Sequence, residues 1–223
     1  MITVTAQTLG ECWKKCIHAV LQHGHPQHDE DVAICEILGL SIEILHPSSK
    51  DSFISRVGDE KVIDKMLKKF SKGISMEDRP FTYGQLIYDM NGIDQFEWMV
   101  NRMEAKPETK SATISLMTPG LEDTNTPCLV VLDAKIRNGN LHLQFFFRSQ
   151  NVFGRQYANL LALADLHERL AYRLGCEVGS MKGYIASAHI YAFDLVDAGT
   201  LLETESIKVA DQYYRKGPAS IRN

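Results

Sequence analysis

The sequence predicts an α/β (α+β) protein, because segments with helical periodicity and segments with β-strand character both recur along its 223 residues. Apolar positions at helical spacing predict helices over 9–23, 59–72, 93–105 and 156–174. Apolar runs rich in strand-forming residues predict strands over 33–45, 112–117, 128–136, 141–147 and 183–193. A chain of this length can bury its own core, so we expect one domain over residues 1–223.

The predicted helices have recognisable ends. Thr8 and Glu11 have the spacing of a capping box before the first helix, and Gly24 ends that helix. Gly73 follows the second helix, and Gly175 ends the last predicted one.

A tight hairpin is predicted at Asn138-Gly139, since both residue types tolerate the positive φ angles that a two-residue turn requires. If these two residues form the loop, Cys128 lies opposite Ser149; a bulged turn would move its partner to Arg148. In either register, the Cys128 thiol is expected beside the Arg148 guanidinium.

Composition excludes some classes of function. The chain has 24 Lys and Arg against 28 Asp and Glu, a formal charge of -4, so there is no basic excess to hold DNA or another nucleic-acid backbone. No apolar stretch approaches the roughly 20 residues that cross a bilayer, and the N-terminus lacks a signal pattern. We therefore expect a cytoplasmic protein without membrane contact.

The five cysteines form an odd set without the spacing of a disulfide framework, which favours free thiols. They are Cys12, Cys16, Cys35, Cys128 and Cys176. A zinc site near Cys12 and Cys16, with the histidines that follow, is the alternative. Their four-residue spacing favours burial on one helix face, so no metal is expected.

Cys128 is a candidate nucleophile, because a nearby cation such as Arg148 favours the reactive thiolate. A cysteine at the start of an apolar strand is otherwise often a packing residue. Arg148 and Ser149 together suit an anionic group, with a strand-end salt bridge as the structural alternative.

The spacing of several residues around Cys128 resembles the thymidylate synthase family. The matching residues are Pro127-Cys128, Phe147-Arg148-Ser149-Gln150-Asn151-Val152-Phe153, Asn159 and His189-Ile190-Tyr191, with weaker similarity at Tyr83-Gly84-Gln85 and Ile93-Asp94-Gln95. The residues from Pro127 to Tyr191 fall at the family's spacing without a gap. The short chain is most similar to the archaeal, methanogen-type branch.

The resemblance implies a conversion of dUMP to dTMP. Cys128 would add to C6 of the pyrimidine, and Tyr83 would move a proton at C5 or hold the water that does. Arg148 and Ser149 would bind the phosphate of the nucleotide. A pyrimidine nucleotide hydroxymethylase and a non-catalytic nucleotide-binding or RNA-binding relative are the alternatives.

Asn159 would read the pyrimidine, and His189 and Tyr191 would hold the sugar. A carboxamide offers a donor and an acceptor together, which suits uracil better than cytosine. Without the family spacing, Asn159 would be read as a helix-start residue and His189 as a buried structural histidine.

The family also implies a mixed sheet with helices on one face and a second copy of the chain on the other. Lys110 would bind phosphate across that homodimer interface. The cosubstrate would be 5,10-methylenetetrahydrofolate or methylenetetrahydromethanopterin, contacted by Asn151 where relatives have an aspartate.

Two departures from the family pattern concern charge. An N-terminal arginine normally contacts the phosphate, but the corresponding residues 28–31 are mainly acidic. The family's catalytic glutamate has no clear counterpart, and Glu60 and Asp64 are the candidate carboxylates.

Overall fold

The computed structural model describes residues 1–77, 80–118 and 126–205. Its strands are β1 (Ile2–Ala6), β2 (His25–Asp29), β3 (Val32–Ile44), β4 (Thr113–Ser115), β5 (Leu129–Arg137), β6 (Asn140–Asn151) and β7 (Glu177–Tyr191). Its helices are α1 (Leu9–His23), α2 (Ser52–Val57), α3 (Glu60–Phe70), α4 (Tyr83–Tyr88), α5 (Gln95–Ala105), α6 (Gln156–Leu174) and α7 (Leu195–Thr204).

The strands form one mixed sheet in the order β1-β3-β7-β6-β5-β4. Strand β2 pairs with the first residues of β3, ahead of the part of β3 that pairs with β1. The pairs β1–β3 and β6–β7 are parallel, whereas β3–β7, β5–β6 and β4–β5 are antiparallel. The predicted combination of a mixed sheet with helices is confirmed.

Two helices show how well local signals define helix ends. The Thr8 side chain accepts the backbone N–H of Glu11 and begins α1 as predicted, but the Glu11 carboxylate accepts from Gln7 instead of closing a capping box on Thr8. Helix α6 ends at Gly175, whose left-handed φ of 62° fits the predicted glycine stop.

Five elements were not predicted: β1, β2, α2, α4 and α7. Helices α2 and α4 have only six residues each, too few for an apolar periodicity to be visible. Every residue of β2 is exposed, so its sequence shows no alternation. The last strand also begins at Glu177, six residues before the predicted start at Gly183.

The sheet has a buried face and an open face. A row of paired residues that are all buried consists of Leu40, Ile185, Phe147 and Leu129. The adjacent row, which is partly exposed, consists of Ser41, Tyr184, Phe146 and Val131. Helices α1 and α6 contact the central strands of the sheet.

Three adjacent strands change the alternation of their buried residues at the same level. The buried positions change phase between the row Leu40, Ile185, Phe147 and the row Ile37, Ala188, Gln150, which are three residues apart on each strand. Gly39 lies between the two rows and has a φ of 79°. Arg148, Ser149 and Ser187 also lie between these rows on their strands.

Among the residues that the structure describes, no helix combines the length and the apolar character that crossing a bilayer requires.

Candidate active site

Cys128 lies immediately before β5 and is half-buried. The predicted two-residue turn is confirmed, with φ of 53° at Asn138 and 78° at Gly139. A register shift between Leu129 and Val131 then changes the pairing at the far end of the hairpin. As a result the Arg148 N–H donates to the Cys128 carbonyl over 2.8 Å, so Arg148 is the partner and Ser149 is not. The bulge lies within β5 and not at the turn.

The Arg148 guanidinium holds the segment that leads into Cys128. Its Nε donates to the Pro127 carbonyl over 3.0 Å, and its Nη2 donates to the Thr126 carbonyl over 2.8 Å. These contacts differ from the simple thiol–guanidinium pairing expected from the sequence. They make Arg148 a clamp on the backbone before the cysteine.

Tyr83 contacts the same segment just after Cys128. It is the first residue of α4, where Thr82 and Gln85 form a capping box, and its side chain is buried. The Tyr83 hydroxyl accepts the Leu129 N–H over 3.2 Å. Tyr83 therefore contacts the residue that follows Cys128.

The ends of β6 and β7 bring three predicted site residues together. Ser149 pairs with Ser187, and Asn151 pairs with His189. The Val152 N–H also donates to the His189 carbonyl over 2.8 Å. The Asn151 Oδ1 accepts the Gly154 N–H over 2.9 Å, which leaves the amide NH₂ of Asn151 as its donor group.

Unpaired polar atoms lie on the first turn of α6. Asn159 is 6% exposed and Gln156 is 1% exposed. Within the described part of the chain, Asn159 Oδ1 and both polar atoms of the Gln156 side chain have no hydrogen-bond partner. Such buried groups are costly unless water or a ligand pairs with them. Gln156 was missed from the sequence, although its three-residue spacing from Asn159 places both on one helix face.

His189 and Tyr191 are buried neighbours on β7, with ring centroids 5.3 Å apart. Burial lowers the pKa of His189, partly offset by the carboxylates of Asp29 and Glu36, so the neutral imidazole is favoured. The Tyr191 hydroxyl donates to Asp29 Oδ2 over 2.8 Å. Asp29 and Glu36 were not predicted from the sequence as part of this region, since the sheet alone brings them there.

Lys110 lies apart from this group. It is exposed and precedes Ala112, whose carbonyl accepts the Ala134 N–H over 2.9 Å. The path from Ala134 back along β5 to Cys128 is about 20 Å at the usual rise per strand residue. The structure therefore does not bring Lys110 to the Cys128 of its own chain.

The two carboxylates considered as counterparts of the family's catalytic glutamate lie on the surface. Glu60 and Asp64 are both exposed on α3.

Cys12 and Cys16 are buried on α1 with their sulfur atoms 3.9 Å apart, as expected for packing residues. The contact with Cys16 and burial raise the pKa of Cys12, which favours the unreactive thiol. The described residues contain no cluster of three or more His, Cys, Asp or Glu side chains suited to a metal ion.

Comparisons with known proteins agree on one family. The profile of the thymidylate synthase family matches residues 51–215. Methanogen proteins named provisionally as thymidylate synthases are similar over most of their length. The protein of Methanosarcina mazei is 28% identical over 195 residues, 86% of this chain and 90% of its own. That of Methanopyrus kandleri is 29% identical over 210 residues, 88% of this chain and 96% of its own.

A phage protein is similar over a shorter region. The deoxyuridylate hydroxymethyltransferase of Bacillus phage SP01 is 33% identical over 110 residues, which is 47% of this chain and 29% of the phage protein. The family profile, in contrast, covers most of the chain, including Cys128, Arg148, Asn159 and His189. The chain therefore belongs to the thymidylate synthase family and is similar to its short, methanogen-type members.

Proposed function

We propose that this protein converts dUMP to dTMP, using Cys128 as the nucleophile. The observation that carries the proposal is the position of Cys128, half-buried and joined by neighbouring contacts to Arg148 and Tyr83. Among the described residues, the end of β7 and the first turn of α6 add buried polar atoms without hydrogen-bond partners, namely those of His189, Asn159 and Gln156. A binding site for a polar ligand requires such atoms.

The first step is addition of the Cys128 thiolate to C6 of the pyrimidine. A carbon–sulfur bond forms, the C5–C6 double bond is lost, and C5 becomes the nucleophile that takes up the one-carbon unit. Dividing the alkylation of an unreactive ring carbon in this way replaces one difficult step with easier ones. The Tyr83 hydroxyl, next to Leu129, would accept the C5 proton or orient the water that accepts it.

Asn159 supports uracil as the base. Its Oδ1 is buried without a partner in the described part of the chain, so an N–H of a ligand would satisfy it. Uracil presents N3–H and O4, which match the carbonyl and NH₂ of a carboxamide. The neutral form of His189, together with Tyr191, would contact the sugar, while Arg148 and Ser149 would hold the phosphate.

The cosubstrate would be a reduced methylene-pterin, either the folate or the methanopterin compound. When bound, it supplies the one-carbon unit and the hydride that reduces this unit to a methyl group. The Asn151 NH₂ remains available to donate to an acceptor on the pterin ring, because the Asn151 carbonyl is already bound to Gly154. The residue therefore fits a contact to a ring carbonyl or ring nitrogen.

A homodimer through the open face of the sheet would complete the site. That face presents the stacked rings of Phe146 and Tyr184, 5.6 Å apart, in a row that is partly exposed in the single chain. Leu38, on the strand next to β7, is 75% exposed. Lys110 cannot reach its own Cys128, so a second copy is required if Lys110 binds the phosphate.

Product analysis tests the proposal. Purified protein with dUMP and methylenetetrahydrofolate, or its methanopterin counterpart, should yield dTMP and the oxidised carrier in equal amounts. Formation of 5-hydroxymethyl-dUMP with unoxidised carrier would instead favour the activity named for the phage relative. Absence of both products with either carrier would contradict both enzymatic functions.

A further inference from the structure

Lys69 and Tyr83 meet where helix α3 ends and helix α4 begins. The Lys69 Nζ lies 4.2 Å from the centroid of the Tyr83 ring. An ammonium group within about 6 Å of a ring centroid is attracted by the negative face of the ring. Lys69 is half-buried and Tyr83 is 4% exposed, so water weakens this attraction less than it would at the surface.

The end of α3 fixes the Tyr83 ring in this position. The Phe70 ring packs against it, with the two centroids 4.7 Å apart. Gly84 allows α4 to approach α3 closely, since a Cβ atom at this residue would clash with the Ser71 carbonyl oxygen. The contact between the Lys69 cation and the Tyr83 ring therefore follows from the close packing of two helices.

A position in the last turn of a helix is an alternative explanation for Lys69. Cations there interact favourably with the helix dipole, and both Lys68 and Lys69 occupy the last turn of α3. Lys68 is exposed, whereas the Lys69 side chain lies against Tyr83. The helix dipole does not account for this difference.

The surroundings of Tyr83 favour negative charge on its oxygen. The Leu129 N–H donates to this oxygen over 3.2 Å, and the Lys69 ammonium group lies over the ring. Both interactions strengthen when the phenol is ionised. Burial has the opposite effect, because it disfavours a charged phenolate. A nearby cation is what a buried tyrosine needs in order to accept a proton.

Other titratable and charged groups belong to the elements around Tyr83. Lys65 precedes Lys69 by one turn of α3, and the Arg148 guanidinium binds the backbone before the Cys128 thiol. The acidic residues of α3 are both exposed; they are Glu60 and Asp64. Helix α4 has no acidic or basic residue in its terminal turns.

We propose that Lys69 is a positioning residue that holds the Tyr83 ring and stabilises negative charge on its oxygen, so that Tyr83 itself accepts the C5 proton. This inference rests on the proposed function, in which that proton is removed after the one-carbon unit joins C5. The C5–H bond breaks and its electron pair stays in the pyrimidine ring. The proton passes to the phenolate oxygen, which becomes a neutral phenol.

Fluorine NMR tests the electrostatic part of this inference without requiring turnover. The protein is labelled with 3-fluorotyrosine, and the Tyr83 resonance is identified by its absence from Tyr83→Phe. Lys69→Met should move the titration of this resonance to higher pH, because the phenolate loses a nearby positive charge. Lys69→Arg, which keeps the charge, and Lys68→Met, on the exposed side of α3, should titrate as the wild-type protein does.

Steady-state kinetics test the link to the reaction. Lys69→Met should lower kcat about tenfold while KM for dUMP stays within about twofold, as expected from loss of one cation–ring contact. Lys69→Arg should keep kcat within about threefold, because a guanidinium also binds a ring face. Adding Lys69→Met to Tyr83→Phe should lower kcat no further, since the two residues act as one unit.

An unchanged titration or an unchanged kcat in folded Lys69→Met would overturn the inference. Equal losses of kcat in Lys69→Met and Lys68→Met would also overturn it, as would a further loss when Lys69→Met is added to Tyr83→Phe. If the titration shifts but the wild-type protein forms no dTMP, the proposed reaction is contradicted, whereas the stabilisation of the Tyr83 phenolate by Lys69 stands.

Discussion

The Leu129 N–H donates to the Tyr83 hydroxyl over 3.2 Å, and both residues are buried. Leu129 directly follows Cys128, so this bond joins the start of α4 to the segment that carries the thiol. Before Cys128, the Arg148 guanidinium donates to the carbonyls of Thr126 and Pro127. The backbone is thus held by hydrogen bonds both before and after Cys128.

Tyr83→Phe should lower kcat by on the order of a hundredfold, since a proton-transferring group typically contributes at least that much. It should also lower the free energy of unfolding by about 1–3 kcal/mol, because the buried Leu129 N–H loses its partner. Tyr88→Phe is the matched control at the other end of α4, where the hydroxyl accepts from Arg169 over 2.7 Å. An unchanged kcat in Tyr83→Phe would contradict the proposed role.

Arg148→Lys should lower kcat/KM for dUMP by about tenfold or more, because lysine cannot hold two carbonyls with a planar fork. Steady-state kinetics with dUMP provide the measurement. Arg137→Lys is the control, since that guanidinium donates to the Ile136 carbonyl near the exposed end of the hairpin. Equal effects of the two substitutions would argue against the clamp.

Asn159→Asp should change the base preference from uracil toward cytosine. A protonated carboxyl can donate to the bare N3 of cytosine and accept from its amino group, whereas the carboxamide matches uracil. The ratio of kcat/KM for dUMP to that for dCMP should fall by about tenfold or more, the effect of mismatched hydrogen bonds. Asn140→Asp in the hairpin is the control, and a ratio that stays at the wild-type value would refute the assignment.

Protein stability should fall as the pH decreases below about 6.5, partly through His167. This residue is fully buried, its Nε2–H donates to the Leu141 carbonyl over 2.7 Å, and burial lowers its pKa from 6.5. The unfolded chain therefore takes up a proton before the native protein does. The contribution of neutral His167 to the free energy of unfolding is complete above the unfolded-state pKa. It is lost as the pH falls below that pKa toward the lower pKa of the native protein.

Urea unfolding between pH 5 and pH 8 measures this effect. His167→Gln should weaken the pH dependence, while His18→Gln, on the exposed side of α1, should retain it. A pH dependence that is identical in wild type and His167→Gln would show that His167 does not contribute.

The parts of the fold that could be predicted from the sequence follow local rules. Helix α6 and the Asn138-Gly139 turn depend on apolar spacing and on residues that tolerate positive φ. The register at Cys128 could not be predicted from the sequence, because a bulge within β5 has no clear sequence signal. The short helices α2 and α4 lack enough residues to show a period.

Contacts between distant parts of the chain explain what was missed in the candidate site. Asp29 and Tyr191 are separated by 162 positions and meet only because β2 and β7 flank β3. Gln156 has no chemical feature in the sequence that distinguishes it from an ordinary helix residue. Its burial without a partner becomes visible only once the helix is packed.

The central claim is that the Cys128 sulfur bonds to C6 of the pyrimidine. Mass spectrometry of the protein treated with 5-fluoro-dUMP and a methylene-pterin measures this most directly. We expect a covalent adduct on the peptide containing Cys128, absent from Cys128→Ser and retained in Cys176→Ser, which alters another half-buried thiol. An unmodified wild-type protein, or an adduct that persists in Cys128→Ser, would contradict the claim.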